Sequence, residues 1–146
     1  MSEVGVVLVG HGRTASALLE AAREVCGEAG CANVVAVDAG RGETEALRAR
    51  LRAALATVDR GAGVLVIADV YGSSPCTCAI REAPRPPVVI GGLSFGLLLK
   101  LASLDRAALP PDEIARACVE SVRRALAVHL PPPPTPPSPA PAKEPA

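Results

Sequence analysis

The sequence predicts an α/β fold: a three-layer open parallel sheet of four strands, in the expected order 2-1-3-4, with helices on both faces. Three observations carry that prediction. Four short aliphatic runs, at residues 6–9, 33–37, 64–68 and 88–90, show no polar alternation. That is the pattern of strands buried on both sides of a parallel sheet. Segments with helical spacing alternate strictly with these runs, which implies right-handed crossovers between parallel strands. Finally, each run stops at a glycine or a carboxylate, namely Gly10, Asp38, Asp69 and Gly91.

Val6-Val7-Leu8-Val9 leads into Gly10-His11-Gly12, so His11 stands at the carboxyl end of the first strand. In open α/β sheets, ligands bind at that end. The flanking glycines let the backbone turn sharply and let another molecule approach the imidazole. A helix over residues 14–26 follows, with Leu18, Leu19, Ala22, Val25 and Cys26 at helical spacing and Gly27 and Gly30 to end it. The second strand stops at Asp38, ahead of a glycine-rich turn. Residues 43–58 form the clearest helix, whose stripe is Leu47, Leu51, Leu55 and Val58, with Arg48, Arg50 and Arg52 off it.

Gly61 and Gly63 break the chain before the third strand, which runs to Asp69. Ser74 as N-cap and Pro75 as first helical residue open the next helix. It ends by Pro84, because Arg85-Pro86-Pro87 cannot continue it. The fourth strand runs into Gly91-Gly92, and residues 95–104 form a helix. Pro110-Pro111-Asp112 opens the last helix. Its apolar residues Ile114, Cys118, Val122 and Leu126 step by four to about His129, where a cation suits the helix dipole.

The folded domain is expected over residues 1–130, and 146 residues suffice for one core. From Pro131 the composition changes, with nine prolines in the last sixteen residues. This predicts a disordered, polyproline-type tail or linker over residues 131–146, acting as a spacer or as a ligand for a Pro-recognising domain. Acidic and basic residues balance at 15 each, so net charge supplies no field for nucleic acid. With one Tyr, one Phe and no Trp, the chain also has no platform for stacking bases. No apolar run approaches the roughly 20 residues of a membrane span, so no direct membrane insertion is expected. Met1-Ser2-Glu3 lacks a basic region, and no signal peptide is expected. The five cysteines are odd in number and lack zinc-like spacing. They are expected as reduced core thiols, which fits a cytoplasmic protein. Cys76 and Cys78, two apart, should point to different faces of their helix.

His11 and Asp69 end strands expected to be neighbours. A carboxylate beside an imidazole holds the proton on one ring nitrogen and leaves the other lone pair free to attack. Ser73 and Ser74, with the first N–H groups of the helix at Pro75, offer an anion cradle. Together these suit reversible phosphorylation of His11. A serine hydrolase is disfavoured, because the Gly-x-Ser-x-Gly elbow is missing. Each residue also has a plainer reading. Asp69 caps the next helix, Arg13 faces solvent instead of holding phosphate, Asp38 is a turn residue, and Tyr71 packs instead of making contacts. No cofactor and no metal ligand set is expected.

Val7-Leu8-Val9-Gly10-His11-Gly12 and Asp69-Val70-Tyr71-Gly72-Ser73-Ser74-Pro75 resemble the two signatures of a known family. It is the mannose/fructose-type enzyme IIA domain of the bacterial phosphoenolpyruvate:sugar phosphotransferase system. There the second signature reads Asp-Leu-Phe-Gly-Gly-Ser-Pro, and Gly92-Leu93-Ser94-Phe95-Gly96-Leu97-Leu98-Leu99 is similar to Gly-Val-Asn-Leu-Pro-Met-Leu-Leu. The resemblance spans residues 4–128. It implies that His11 accepts a phosphoryl group from the phosphocarrier protein HPr and passes it to an enzyme IIB or a regulatory acceptor. It further implies that Asp69 orients the imidazole, that Gly12, Arg13, Gly72, Ser73 and Ser74 hold the phosphate, and that Tyr71, Asp38 and Ser94 contact partners. A homodimer is expected, since the family commonly dimerises. Ser73, Ser94 and Gly96 depart from the family's Gly, Asn and Pro, which bears on docking and loop rigidity. Val9-Gly10-His11-Gly12-Arg13 also resembles the opening of tetrapyrrole metal chelatases, although the only other histidine is His129. The phosphotransfer subunit of a dihydroxyacetone kinase, and a regulatory module read through phosphorylation of His11, remain further alternatives.

Overall fold

The computed structural model describes residues 2–145. The strands are β1 (Gly5–Gly10), β2 (Val34–Asp38), β3 (Val64–Ala68) and β4 (Val88–Gly91). The helices are α1 (Thr14–Gly30), α2 (Glu45–Val58), α3 (Ser74–Glu82), α4 (Phe95–Ser103) and α5 (Pro111–Ala125). All strand pairs are parallel and the sheet order is β2-β1-β3-β4, as expected. Gly10 lies beside Asp38, and Val9 lies between Val37 and Ala68. The carboxyl ends of β1, β2 and β3 therefore finish at one level.

The unbroken aliphatic runs are explained by burial on both faces. Side chains alternate across a strand, so Val6 and Leu8 of β1 face one helical layer while Val7 and Val9 face the other. Val6, Leu8, Leu65, Ile67 and Ile90 pack with Leu19, Leu97, Leu101 and Ile114 on the side of α1, α4 and α5. Val7, Val9, Val66 and Ala68 pack with Leu47, Leu51, Leu55 and Cys76 on the side of α2 and α3. Each such aliphatic side chain contributes about 1.5–3 kcal/mol when fully buried.

Three details correct the sequence reading. Gly27 leaves the helical conformation at φ 76° and ψ 169°, as expected of a stop, but a further turn carries α1 to Gly30. The last helix ends at Ala125 and not near His129. Its stripe is buried at Ile114 and Cys118 and half-buried at Val122, whereas Leu126, the last of the series, is 76% exposed. Past Ala125 there is no sheet to pack on, and helical propensity alone does not hold a helix end. His129 therefore lies beyond the helix and meets no helix dipole. The N-cap of α3 is Ser73 instead of Ser74, which is already the first helical residue. Cys76 and Cys78 are both buried in the α2–α3 core, because α3 is covered by the sheet and by α2.

All five cysteines are free thiols. Burial pushes the Cys118 thiol up to about 11. Arg106 is the buried charged residue of the described chain, at 5% exposure. Its Nη1 donates to the carbonyl of Val4 at 2.9 Å and its Nη2 to that of Ala32, closing the end of the sheet opposite His11. Residues 126–145 form neither helix nor strand and are exposed. Among the described residues, no helix is long and apolar enough to cross a membrane.

Candidate functional site

The strand ends bring His11 and Asp69 together. A single carboxylate oxygen of Asp69, Oδ2, accepts from the backbone N–H of His11 at 2.8 Å and meets His11 Nδ1 at 2.9 Å. The other oxygen accepts from the N–H of Val70 at 2.8 Å. Burial opposes the charged form of Asp69. The His11 backbone N–H, the imidazole and the Val70 N–H outweigh it, so the Asp69 pKa lies below the ordinary value. Asp69 is thus ionised at neutral pH, and the Nδ1 proton is directed at it. Nε2 takes no hydrogen bond among the described residues. The imidazole is half exposed (49%), while Asp69 is mostly covered (14%). The ring is thus held at its Nδ1 edge and exposed to solvent elsewhere.

Gly10 makes this approach possible. A Cβ at that position would lie 3.3 Å from Asp69 Oδ2 and 3.2 Å from the Thr14 Cβ. Thr14 donates its hydroxyl to the His11 carbonyl at 2.7 Å, fixing the turn from strand to helix. The sequence reading passed over Thr14, although a Thr three residues after a turn residue is a recognisable side-chain-to-backbone motif. Ser16 was also passed over, and no local pattern signals it. Its N–H donates to Asp38 at 2.9 Å and its hydroxyl donates to the other Asp38 oxygen. Asp38 therefore caps the start of α1 from the end of β2, and its carboxylate faces into the fold. Arg50 donates to the Asp38 carbonyl at 2.7 Å.

On the other flank, Gly72 has φ 78°, a conformation that glycine adopts without strain. Ser73 stands at the N-cap position, but its hydroxyl donates to the Val70 carbonyl at 2.7 Å, so the side chain closes the turn and makes no cap hydrogen bond to α3. Ser74 is exposed and Pro75 buried behind it. The first turn of α3 is left without a side-chain cap and faces the strand ends. Tyr71 is 73% exposed beside the site, and its Cβ lies over Gly91, where an added Cβ would come within 2.4 Å. Ser94 accepts from the Leu97 N–H at 3.1 Å and caps α4. Gly12 and Arg13 are exposed where β1 turns into α1. Among the described residues, no cluster of three or more His, Cys, Asp or Glu side chains is placed to hold a metal ion.

An open parallel sheet whose first strand ends in a carboxylate-oriented histidine, facing an uncapped helix start, defines a histidine-centred α/β domain. The chain belongs to the family described as PTS system fructose IIA component, whose model matches residues 5–118. It thus has a phosphotransfer role within a sugar phosphotransferase system. Among solved structures it is similar to the mannose/sorbose specific IIA subunit of the phosphotransferase system from Enterococcus faecalis. That likeness has 25% identity, a TM-score of 0.70, and covers 91% of this chain and 99% of that one. The PTS IIA protein associated with the fucose utilization operon from Streptococcus pneumoniae shares the fold at 23% identity and TM-score 0.66, over 87% and 100% of the two chains. The phosphotransferase system component EIIA from Streptococcus agalactiae does so at 18% and 0.68, over 86% and 96%. No curated protein matches the chain.

Proposed function

We propose that the chain is a phosphocarrier that accepts a phosphoryl group on His11 Nε2 from phospho-HPr and hands it to an enzyme IIB or a regulatory acceptor. The observation that carries this reading is the His11–Asp69 pair, with Nδ1 committed at 2.9 Å and Nε2 free on a half-exposed ring. The Nε2 lone pair forms a bond to phosphorus as the bond from phosphorus to the donor nitrogen breaks. The Nδ1 proton stays on His11, so the phosphorylated ring is cationic, and ionised Asp69 stabilises that charge. Gly72, Ser73, Ser74 and the first N–H groups of α3 supply dipoles for the phosphoryl oxygens, with Gly12 and Arg13 on the near side. Tyr71, exposed beside the ring, meets the partner. Residues 1–130 do this work, and residues 131–146 are a tail or linker.

Incubation with phosphoenolpyruvate, enzyme I and HPr, followed by intact mass, tests the proposal. Wild type is expected to gain one acid-labile phosphoryl group and His11→Ala none. Asp69→Asn is expected to slow the gain by about 10²-fold or more, since the ring loses its oriented tautomer and its counter-charge. No gain in wild type would overturn the phosphocarrier reading.

A further inference from the structure

Arg41 emerges from the loop that follows β2, and neither its position nor its charge is used by the site described so far. The loop is pinned on both sides of His11. The Ala39 N–H donates to the Gly10 carbonyl at 2.8 Å, and the Gly12 N–H donates to the Gly40 carbonyl at 3.0 Å. Gly12 and Gly40 form an isolated antiparallel bridge. Arg41 follows Gly40 directly, so it leaves the loop one residue from the backbone that pairs beside His11. The loop is also on the far flank of β1 from Asp69, because β1 lies between β2 and β3. Asp69 takes the Nδ1 edge of the ring from the β3 side, so the Nε2 edge is turned away from it.

Arg41 is exposed and has no ion-pair or hydrogen-bond partner among the described residues. Its neighbours are committed: Arg50 holds the Asp38 carbonyl, Arg48 pairs with Glu43 and Glu45, and Asp38 is taken by Ser16. Gly40, at φ 62°, and Gly42 flank Arg41 and have open space around them, which lets the side chain swing without backbone strain. A phosphoryl group carries roughly two negative charges at neutral pH. Arg presents a fork of donors that matches its oxygens.

We infer that Arg41 closes on the phosphoryl group at His11 Nε2, as a cationic clamp opposite the neutral donors of the β3–α3 turn. This rests on His11 being the phosphoryl acceptor. No bond to Arg41 forms or breaks. Its guanidinium neutralises the oxygens while phosphorus moves from the donor nitrogen to Nε2.

Two measurements test it. In the HPr-dependent assay, Arg41→Ala is expected to lower kcat/KM about 10- to 100-fold, chiefly through kcat. Arg41→Lys should recover part of that loss, and Arg41→Glu should lose more than Ala. Values for Arg41→Ala within twofold of wild type, or a loss confined to KM, would overturn the inference. The second measurement needs no partner protein. His11 is phosphorylated with phosphoramidate and the phosphorus NMR shift is titrated. A nearby cation favours the dianion, so Arg41→Ala should raise the pH at which the phosphoryl group takes up its proton by roughly half a unit or more. An unchanged titration would overturn the clamp. If wild type fails to accept from phospho-HPr, the carrier reading fails, while the titration still decides the role of Arg41.

Discussion

At the scale of residues, the site depends on how closely β1 and β3 end together. Gly10 sets that closeness, because only hydrogen separates its Cα from the Asp69 carboxylate and Thr14. Its φ is not in the left-handed region, so alanine is tolerated by the backbone and the substitution acts through crowding. Gly10→Ala is expected to fold with a loss of about 1 kcal/mol and to accept phosphoryl groups roughly tenfold more slowly, because Asp69 is displaced. Urea unfolding and quenched-flow rates check the two parts separately, and a wild-type rate would show that Asp69 need not sit where it does. The lowered Asp69 pKa also fixes the sign of the pH dependence. Its stabilising contacts are fully present above the ordinary carboxylate pKa and are lost as pH falls through the lowered value.

Four helices begin at the carboxyl ends of the strands, and their first turns are closed differently. α1 is capped by Asp38 from a neighbouring strand. α2 is capped by its own Thr44, which accepts from the Leu47 N–H at 3.1 Å, and α4 by Ser94. In α3 the Ser73 hydroxyl turns back to Val70, and no side chain occupies the first turn. A side chain therefore engages one first-turn donor at each of α1, α2 and α4, and none at α3. Thr44→Ala should lower stability by about 1 kcal/mol, the usual loss for an N-cap, and leave phosphoryl acceptance unchanged. A chemical denaturation series with the transfer assay alongside checks both.

On the scale of the whole molecule, chemistry and closure lie at opposite ends of the sheet. His11 and Asp69 occupy the carboxyl ends, while Arg106 stitches the carbonyls of Val4 and Ala32 at the other. The last fully buried side chain is Cys118, and everything from Arg123 to Pro145 is exposed. Removal of residues 131–146 is therefore expected to change neither Tm by more than about 1 °C nor the rate of phosphoryl acceptance. Calorimetry on the shortened chain checks this, and a drop of several degrees would make the tail part of the domain.

Strand number, helix number and the polar strand ends were legible in the sequence, because burial on both faces demands unbroken runs such as Val6–Val9 and because Gly and Pro punctuate the chain. His11, Asp69 and the Ser73–Pro75 turn could be singled out for the same reason: each ends a run that has nowhere else to stop. Pairings across the fold were not legible. Ser16 with Asp38, Arg106 with Val4 and Ala32, and Gly12 with Gly40 join residues far apart in the chain, and no local pattern carries such information. The end of α5 was also decided in three dimensions. Its apolar spacing continues through Leu126, but the helix stops where the sheet beneath it stops. Local sequence determined which segments bury and where they break. Only packing determined which side chains meet, because contact depends on the register of strands that the chain brings together at a distance.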